Sequence, residues 1–494
     1  MATDTFHTAA LAQVPLAEAS LRLLDYVLDD KGLADLFEAH RGAAYNRKLV
    51  FPDFVRLIAD CLLGSRGSSA HRTFQTLREG DQDAASVQAA YKKLGRLPMA
   101  VSLALFDHAN ARLDQLAIHS QPLRDTPKSL ADFRLLAFDG KTIKYIARKL
   151  KPLRGLGGGF CGGKLLVAAD VVTGCAVGVE AALDGEASDV PLAVPLIQRI
   201  RAASTDPRPR LWIGDRIFCS TKPLIAAAAE GDDFVIRQHS LFHFHPEPGA
   251  ATRTGVDDKG RVFSDQIGTL GDGAHAIRVR RIAVTRKKAK GRTQADFVLV
   301  TSLTDADRYP AVDILAVYRL RWPIETLFQE AVQTFQLRHL IGGSPHATIF
   351  QAVLALLLSN ITHAVRDAAA EAIADDIKPV DLSLARLFDD TRRELVGLFL
   401  MVDPDDVTAA LQEKPLVTPA ALRKHLRKLL HELPPDRYRK APTRKNTQKP
   451  KNRGYVCGGH TSVHKALQGV IKIVPIKGAK TKPCYAKKKD DKDV

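Results

Sequence analysis

The pattern of hydrophobic and polar positions divides the chain into a helical part and a part with strands. From about residue 11 to residue 116, apolar positions recur every three or four residues, which predicts helices. Short apolar runs typical of strands come next, with turn residues between them: Arg134–Phe138, Lys164–Val172, Ala176–Leu183 and Arg210–Gly214. Helical patterns precede and follow the last of these runs, at residues 187–203 and 222–230. This order predicts an α/β domain with a mixed sheet.

Three strands, a helix, a strand and a helix form the order of an RNase H-like core, in which helices flank a mixed sheet. From residue 233 to about residue 303 the pattern is β-rich, which predicts an insertion into that core, and helical patterns return after residue 312. We therefore expect six segments. They are a helical N-terminal region (1–125), the first part of the core (126–232), a β-rich insertion (233–308), the second part of the core (309–375), a helical C-terminal region (376–433) and a basic, largely disordered tail (434–494).

The positive charge of the chain is concentrated in its last 76 residues. The whole chain has 72 Lys+Arg and 55 Asp+Glu, a net charge of +17, whereas residues 419–494 alone have 21 against 5, a net of +16. A basic segment of this kind is typical of a protein that binds a polyanion, because each neutralised phosphate releases counterions. A tail that only increases solubility would have the same composition, so charge alone does not decide between the two functions.

The composition is that of a soluble globular protein, with 45% hydrophobic and 26% charged residues. The longest strongly apolar stretch, Ala352–Leu358, is shorter than the roughly 20 residues that a membrane span needs. The beginning of the sequence has neither the basic nor the apolar region of a signal peptide. We expect a cytoplasmic, nucleoid-associated protein without a membrane partner.

The six cysteines are scattered over 494 residues, a distribution that favours reduced thiols over a disulfide framework. Cys457, His460, His464 and Cys484 form a weak candidate for a zinc site, because the gap to the last cysteine is long. The alternative is that these four side chains are solvated or packed.

Two aspartates stand directly after apolar runs that predict buried strands. Asp139 follows Leu135–Phe138, and Asp215 follows Leu211–Gly214. If the two strands are neighbours, both carboxylates emerge at one edge of the sheet, where they repel each other and require a divalent cation as counter-charge. Carboxylate oxygens without thiol or imidazole partners favour Mg²⁺ or Mn²⁺. Either aspartate alone would be an ordinary turn residue.

A third acid belongs to a group with helical spacing. Tyr318, Arg321 and Glu325 are separated by three and four residues, which predicts one face of a helix. On that face the carboxylate would bind metal, the guanidinium would bind a phosphate and the phenol would position it. Pro323 should kink this helix or start a new one near Trp322. A surface helix with ion pairs is the alternative.

Together these residues resemble the DDE transposases of bacterial insertion sequences. The resemblance is to the group with a β-strand insertion in an RNase H-like core and a Tyr-x-x-Arg-x-x-x-Glu signature. The matching segments are Phe138–Ile143, Gly214–Phe218 and Tyr318–Phe328, in this order and with the β-rich insertion in the right interval. The resemblance extends from roughly Tyr91 to Asn360.

The resemblance implies a DNA transposase that performs cut-and-paste cleavage and strand transfer by a two-metal-ion mechanism. Asp139, Asp215 and Glu325 would be the catalytic residues and would hold two Mg²⁺ ions, for which Mn²⁺ can substitute. The implied partners are the double-stranded DNA of the terminal inverted repeats and the target, bound by a homodimer. The expected DNA-binding residues are Tyr318, Arg321, Trp322, Arg216, Lys92 and Lys93.

Three alternative functions stay open. The family has a lysine where this chain has Val332, so that lysine's role would pass to Arg338 or be lost, and a catalytically inactive DNA-binding protein of transposase descent is one alternative. An RNase H-like nuclease, which cuts without joining, is the second. An enzyme that does not act on nucleic acid has only the glycine stretch 155–163 in its favour, and a β-like run follows that stretch where a dinucleotide site needs a helix.

Overall fold

The computed structural model of the chain describes residues 2–64, 73–75, 85–118, 122–144, 159–204, 206–273, 276–287, 293–335, 340–374, 376–413, 415–440 and 460–468. Its central feature is one mixed sheet of eleven strands with helices on both faces.

The described part of the N-terminal region contains helices and no strand, as the periodicity predicts. They are α1 (Ala2–Ala12), α2 (Pro15–Val27), α3 (Asp30–His40), α4 (Phe51–Leu63), α5 (Val87–Arg96) and α6 (Met99–Leu116). Local sequence explains several of their ends. Pro52 lies in the first turn of α4, and Gly64 ends that helix with a φ of 63°. The Ser86 hydroxyl accepts a hydrogen bond from the Ala89 amide and so caps α5.

The centre of the sheet has the strand order of an RNase H-like core. Its elements are β1 (Arg134–Lys144), β2 (Gly159–Asp170), β3 (Ala176–Ala182), α7 (Val190–Ala203), β4 (Arg210–Gly214), α8 (Thr221–Ala229) and β5 (Asp233–Arg237). The order across the sheet is β3-β2-β1-β4-β5, in which β2 is antiparallel to both of its neighbours and β4 is parallel to β1 and β5. The mixed α/β fold expected from the sequence is therefore confirmed.

The β-rich insertion continues this sheet instead of forming a separate one. Its strands are β6 (Phe244–Pro246), β7 (Arg253–Val256), β8 (Val262–Leu270), β9 (Ile277–Lys287) and β10 (Thr293–Thr301). Strand β10 pairs with β5, β9 with β10, and β8 with β9. Strand β5 pairs in parallel with β4 on one side and antiparallel with β10 on the other, so it joins the core strands to those of the insertion. A short buried strand does not reveal from its sequence which neighbour it pairs with.

The second part of the core and the C-terminal region are helical. They contain α9 (Ala311–Arg319), α10 (Pro323–Thr334), α11 (Pro345–Ile373), α12 (Leu384–Met401), α13 (Pro404–Glu413), α14 (Pro419–Leu430) and α15 (Pro435–Tyr438). Helix α11 is long and apolar enough for a membrane span by length and composition, but 94% of its most apolar window is buried inside the protein. It is the central helix of the core.

Two hydrophobic cores lie on the two faces of the sheet. Leu135 and Ala137 of β1 point into the larger core, which contains the N-terminal helices and α10 to α14. Leu136 and Phe138 point into the smaller core, against α7 and α8. This alternation follows from the two-residue period of a strand.

Part of the basic tail packs on the core. Strand β11 (His460–Ser462) pairs in parallel with residues 159–161 of β2, and α16 (Val463–Leu467) follows it. The Lys465 ammonium lies 2.7 Å from a carboxylate oxygen of Glu186 and 3.2 Å from one of Asp184. The remaining tail residues, 441–459 and 469–494, lie outside the described part of the chain.

Candidate active site

Asp139 and Asp215 are positioned by two neighbouring parallel strands. Ala137 of β1 pairs with Ile213 of β4, and each aspartate follows two residues later. Asp139 continues its strand, whereas Asp215 directly follows the last residue of β4 and precedes a short helix. The neighbouring strands expected from the sequence thus place both aspartates in one part of the sheet, and both charges act on Arg321.

Asp139 lies inside its strand and not at the strand end that the sequence indicates. Strand β1 continues to Lys144, and what ends near Asp139 is burial, because Asp139 and Gly140 are half-buried. The Asp139 carboxylate accepts a hydrogen bond of 2.9 Å from the Gly140 amide. Most residues after Phe138 are polar or glycine, so the pattern of hydrophobic runs does not indicate that the strand continues to Lys144.

A glycine next to each aspartate makes room for a neighbouring side chain. A Cβ at Gly140 would lie 2.2 Å from the carboxyl carbon of Asp189, whose carboxylate lies 2.8 Å from the Lys164 ammonium. A Cβ at Gly214 would lie 3.0 Å from the Phe138 ring. Close packing therefore explains the Asp-Gly and Gly-Asp pairs in the sequence.

Glu325 lies in the first turn of the second of two helices that are separated by a short break. Helix α9 ends at Arg319, and α10 begins with Pro323 as its first residue, so Tyr318 and Glu325 are not on one continuous helix. Proline has no amide hydrogen and starts a helix readily, which makes a new helix at this position the outcome of Pro323. Helix α10 packs on β1 and so carries Glu325 to the face where the aspartates lie.

The core, the break between α9 and α10, and the insertion border a cleft with a volume of about 730 Å³. The residues that line it come from the core, from the α9–α10 break and from the insertion: Asp215, Arg237, Lys259, Arg261, Phe297, Tyr318, Arg319, Arg321, Trp322 and Glu325. Acidic side chains are thus next to basic and aromatic ones, a combination that suits a polyanion bound beside a carboxylate site.

Arg321 lies between the carboxylates. One of its terminal nitrogens donates a hydrogen bond of 3.2 Å to Glu325, and the other lies 4.0 Å from a carboxylate oxygen of Asp139. Its side chain is only 11% exposed. Burial alone would lower the pKa of the Arg321 guanidinium, but its electrostatic interactions with Tyr318, Asp139 and Asp215 raise it. Arg321 therefore provides positive charge next to Glu325 and Asp139 in the structure.

Burial raises the pKa of Asp139 above its ordinary value. The Arg321 charge and the Gly140 amide oppose this shift, whereas the Glu325 and Asp189 charges add to it. Burial also raises the pKa of the Tyr318 phenol, with a further contribution from Asp215. Both shifts of pKa are those expected of a carboxylate and a phenol in a partly desolvated site.

The three acids are suitable donors for a divalent cation, since Mg²⁺ and Mn²⁺ prefer carboxylate oxygens. In the structure Arg321 is in contact with Glu325 and near Asp139, and the charge of Asp215 also acts on it. In the part of the chain that the structure describes, no three His, Cys, Asp or Glu side chains are close enough together to hold a metal ion. The carboxylates thus fit a divalent cation by donor type, and the Arg321 guanidinium lies beside two of them.

The insertion contributes residues to the cleft that the sequence did not predict as site residues. The turn between β7 and β8 is tied to the end of α9, because Asp257 and Asp258 both pair with Arg319. Phe297 of β10 stacks on Tyr318 with ring centroids 6.2 Å apart, and the Arg261 guanidinium lies 5.3 Å from the Phe297 centroid. The run Phe297–Val300 signals a strand in the sequence, but nothing in it indicates which side chain faces the cleft.

The expected DNA-binding residues do not all meet at the cleft. Tyr318, Arg321 and Trp322 line it, and Trp322 is 65% exposed. Arg216 is exposed in the short helix after Asp215, outside the set of residues that line the cleft.

Of the two lysines of α5, one faces solvent and one faces inward. Lys92 is exposed, whereas the Lys93 ammonium donates to the Leu49 carbonyl and lies over the rings of Phe37 and Phe54. The contacts of the Lys93 ammonium are therefore within the protein. Its neighbour Lys92 stays a predicted contact.

Several residues with expected roles lie outside the described part of the chain. Arg338, Cys457 and Cys484 are among them, as are the side chains of Val332 and His460. Among the described residues, Cys61, Cys161, Cys175 and Cys219 form no disulfide with one another.

Comparison with known proteins identifies the unit that carries this cleft. Residues 131–361 match the family model of the transposase DDE domain. The chain contains a transposase DDE domain. A putative transposase y4zB of Sinorhizobium fredii (strain NBRC 101917 / NGR234) is 34% identical to this chain over 156 residues, which are 30% of this chain and 42% of that relative. The match therefore spans less than half the length of the relative.

The DDE domain includes β1 to β10, α9, α10 and the first half of α11, so all three acids lie within it. Among solved structures, the cryo-EM structure of the piggyBac transposase synaptic complex with hairpin DNA matches 84% of this chain and 86% of its own, with 14% identity and a TM-score of 0.37. That likeness is too distant to indicate an activity.

Proposed function

We propose that the protein is a DNA transposase of an insertion sequence that cuts and rejoins DNA strands at Asp139, Asp215 and Glu325. The observation that supports the proposal is the contact of Arg321 with Glu325 and, at 4.0 Å, with Asp139, beside a cleft that Asp215 and Glu325 line within the match to the transposase DDE domain. The cut-and-paste course of the reaction is part of the proposal.

The three carboxylates would hold two divalent cations, Mg²⁺ or in its place Mn²⁺. Bound there, the cations would lower the pKa of an attacking hydroxyl and stabilise the charge on the leaving 3′ oxygen. The chain's own contribution is to fix the carboxylates on rigid elements and to shield them on one side by the larger core. Glu325, with its side chain 40% exposed, would face the DNA.

Double-stranded DNA would lie along the cleft, with its phosphates next to the basic residues. Lys259 is exposed and Arg237 is half-buried, so both can approach a phosphate. Trp322, which is 65% exposed at the same cleft, offers an aromatic face to an unpaired base. These contacts would position the strand without requiring a particular sequence.

We further propose a homodimer in the DNA complex, acting on the chromosome in the cytoplasm. Two element ends have to be cut together, and one active site cannot hold both. Sedimentation of the protein on paired end-DNA tests this, and a monomeric complex that completes excision would contradict it.

The decisive experiment is Asp215→Asn, which keeps the shape of the side chain and removes its charge. We expect this variant to fold, to bind end-DNA as the parent does and to lose Mg²⁺-dependent cleavage by several orders of magnitude, because cation binding needs the charge. The readout is cleavage of a labelled end fragment together with formation of the joined strand-transfer product.

Asp272→Asn is the matched control, because its carboxylate is 74% exposed in the insertion and pairs with His245. Cleavage by Asp215→Asn within tenfold of the parent would remove Asp215 from the site. Cleavage by the parent without any joined product would make the protein a nuclease, and binding without cleavage would make it a DNA-binding protein of transposase descent.

A further inference from the structure

Arg321 differs from the other cations of the cleft in its partners. It contacts Glu325 and lies within 4.0 Å of Asp139, whereas Arg319 pairs with Asp257 and Asp258 in the insertion. The charge of Asp215 also acts on Arg321. Arg321 is thus tied to the acids of the site, while Arg319 is tied to the β7–β8 turn.

A guanidinium and a divalent cation would compete for the same carboxylate oxygens. The hydrogen bond from Arg321 uses an oxygen of Glu325, and its second terminal nitrogen faces an oxygen of Asp139. A cation that ligates those oxygens replaces both contacts and leaves the buried guanidinium next to a like charge. Such a pair is unfavourable in a partly desolvated site.

The side chain of Arg321 can move towards Trp322. Its guanidinium carbon lies 6.0 Å from the ring centroid of Trp322, which is itself 65% exposed at the cleft. A guanidinium that swings towards this ring keeps a favourable cation–π contact and reaches the solvent side of the cleft. A phosphate in the cleft would be its partner there.

We propose that Arg321 is an exchangeable counter-charge: it neutralises Asp139, Asp215 and Glu325 in the cation-free protein and moves to a DNA phosphate when a divalent cation binds. This inference rests on the proposed function of the site and deepens it. Cation and DNA then favour each other's binding, because each takes one of the two partners between which Arg321 alternates. The protein holds a cation firmly only when DNA is present.

The test measures Mn²⁺ binding by calorimetry and by the electron paramagnetic resonance of free Mn²⁺, with no cleavage involved. In the absence of DNA, Arg321→Gln should bind Mn²⁺ about tenfold more tightly than the parent, a size typical of coupling between sites. With a short duplex oligonucleotide present, the parent should gain Mn²⁺ affinity, and Arg321→Gln should gain much less.

Arg278→Gln is the matched control, since it removes one positive charge from an exposed side chain that pairs with Glu247 and does not line the cleft. It should leave Mn²⁺ binding without DNA unchanged and keep the gain on adding the duplex. Equal Mn²⁺ affinity of Arg321→Gln and the parent would overturn the exchange, as would an equal rise in Arg278→Gln. Asp215→Asn separates the two proposals: if it binds Mn²⁺ as the parent does, the acids are no cation site and the proposed function falls with the exchange.

Discussion

Lys93 illustrates how burial changes what a single residue can do. Its ammonium lies 5.0 Å from the centroid of Phe37 and 5.6 Å from that of Phe54, inside the N-terminal helices. Burial lowers its pKa to about 8, and the charge of Asp53 opposes this shift. A basic residue of a helix can therefore pack its ammonium against aromatic rings within the protein.

This burial predicts a dependence of stability on pH. Between pH 8 and about 10 the folded protein has released the Lys93 proton while the unfolded chain still holds it, so stability rises with pH in this window. Urea unfolding at pH 7 and pH 9.5 should show that the free energy of unfolding rises by about 1–2 kcal/mol more in the parent than in Lys93→Met. Lys92→Met, at an exposed position, should follow the parent. Parallel pH profiles of the parent and Lys93→Met would contradict the prediction.

At the scale of elements, the sequence predicted what depends on local pattern. Apolar runs ending before Asp139 and Asp215 indicated the two strands, and Pro323 indicated a new helix at the point where α10 begins. The position of Arg321 between Asp139 and Glu325, which are 186 residues apart in the chain, could not be predicted in this way, because it depends on how helix α10 packs on strand β1. The contact of Phe297 with Tyr318 has the same origin.

Gly140 connects two elements of the site, because the Asp189 carboxylate before α7 occupies the place of its missing side chain. Gly140→Ala would bring a methyl group within 2.2 Å of that carboxyl carbon, so we expect a loss of about 1–3 kcal/mol in the free energy of unfolding. Chemical denaturation measures it. Gly397→Ala is the control: a Cβ at this α12 glycine meets nothing within 4 Å, and alanine should stabilise that helix by up to about 1 kcal/mol. Similar stabilities of the two variants would refute the packing argument.

At the scale of the whole molecule, the basic tail is partly attached and partly outside the described structure. The attached part, residues 434–440 and 460–468, contains the buried Tyr438 and Val463, so a cut before it would damage the core. Residues 469–494 carry 8 Lys against 3 Asp, a net of +5, and can be removed after Gln468 without loss of a described contact.

We expect this truncation to weaken binding to DNA of any sequence and to make the affinity less dependent on salt, because fewer counterions are released. Fluorescence anisotropy at several salt concentrations gives the slope. A full-length chain with these lysines changed to glutamine should behave like the truncated one, which separates charge from length. A slope equal to the parent's in both variants would make the tail a solubility device.

The pairing of β11 with β2 also has a consequence for the synthesis of the protein. The two strands are separated by about 300 residues, since His460 pairs with Gly159. At the usual 5–20 residues per second, a ribosome needs roughly 15–60 s to make the intervening chain. During that time the backbone of residues 159–161 is an uncovered strand edge, which invites pairing with another chain. Nascent or prematurely terminated copies should therefore be the forms that depend most on chaperones.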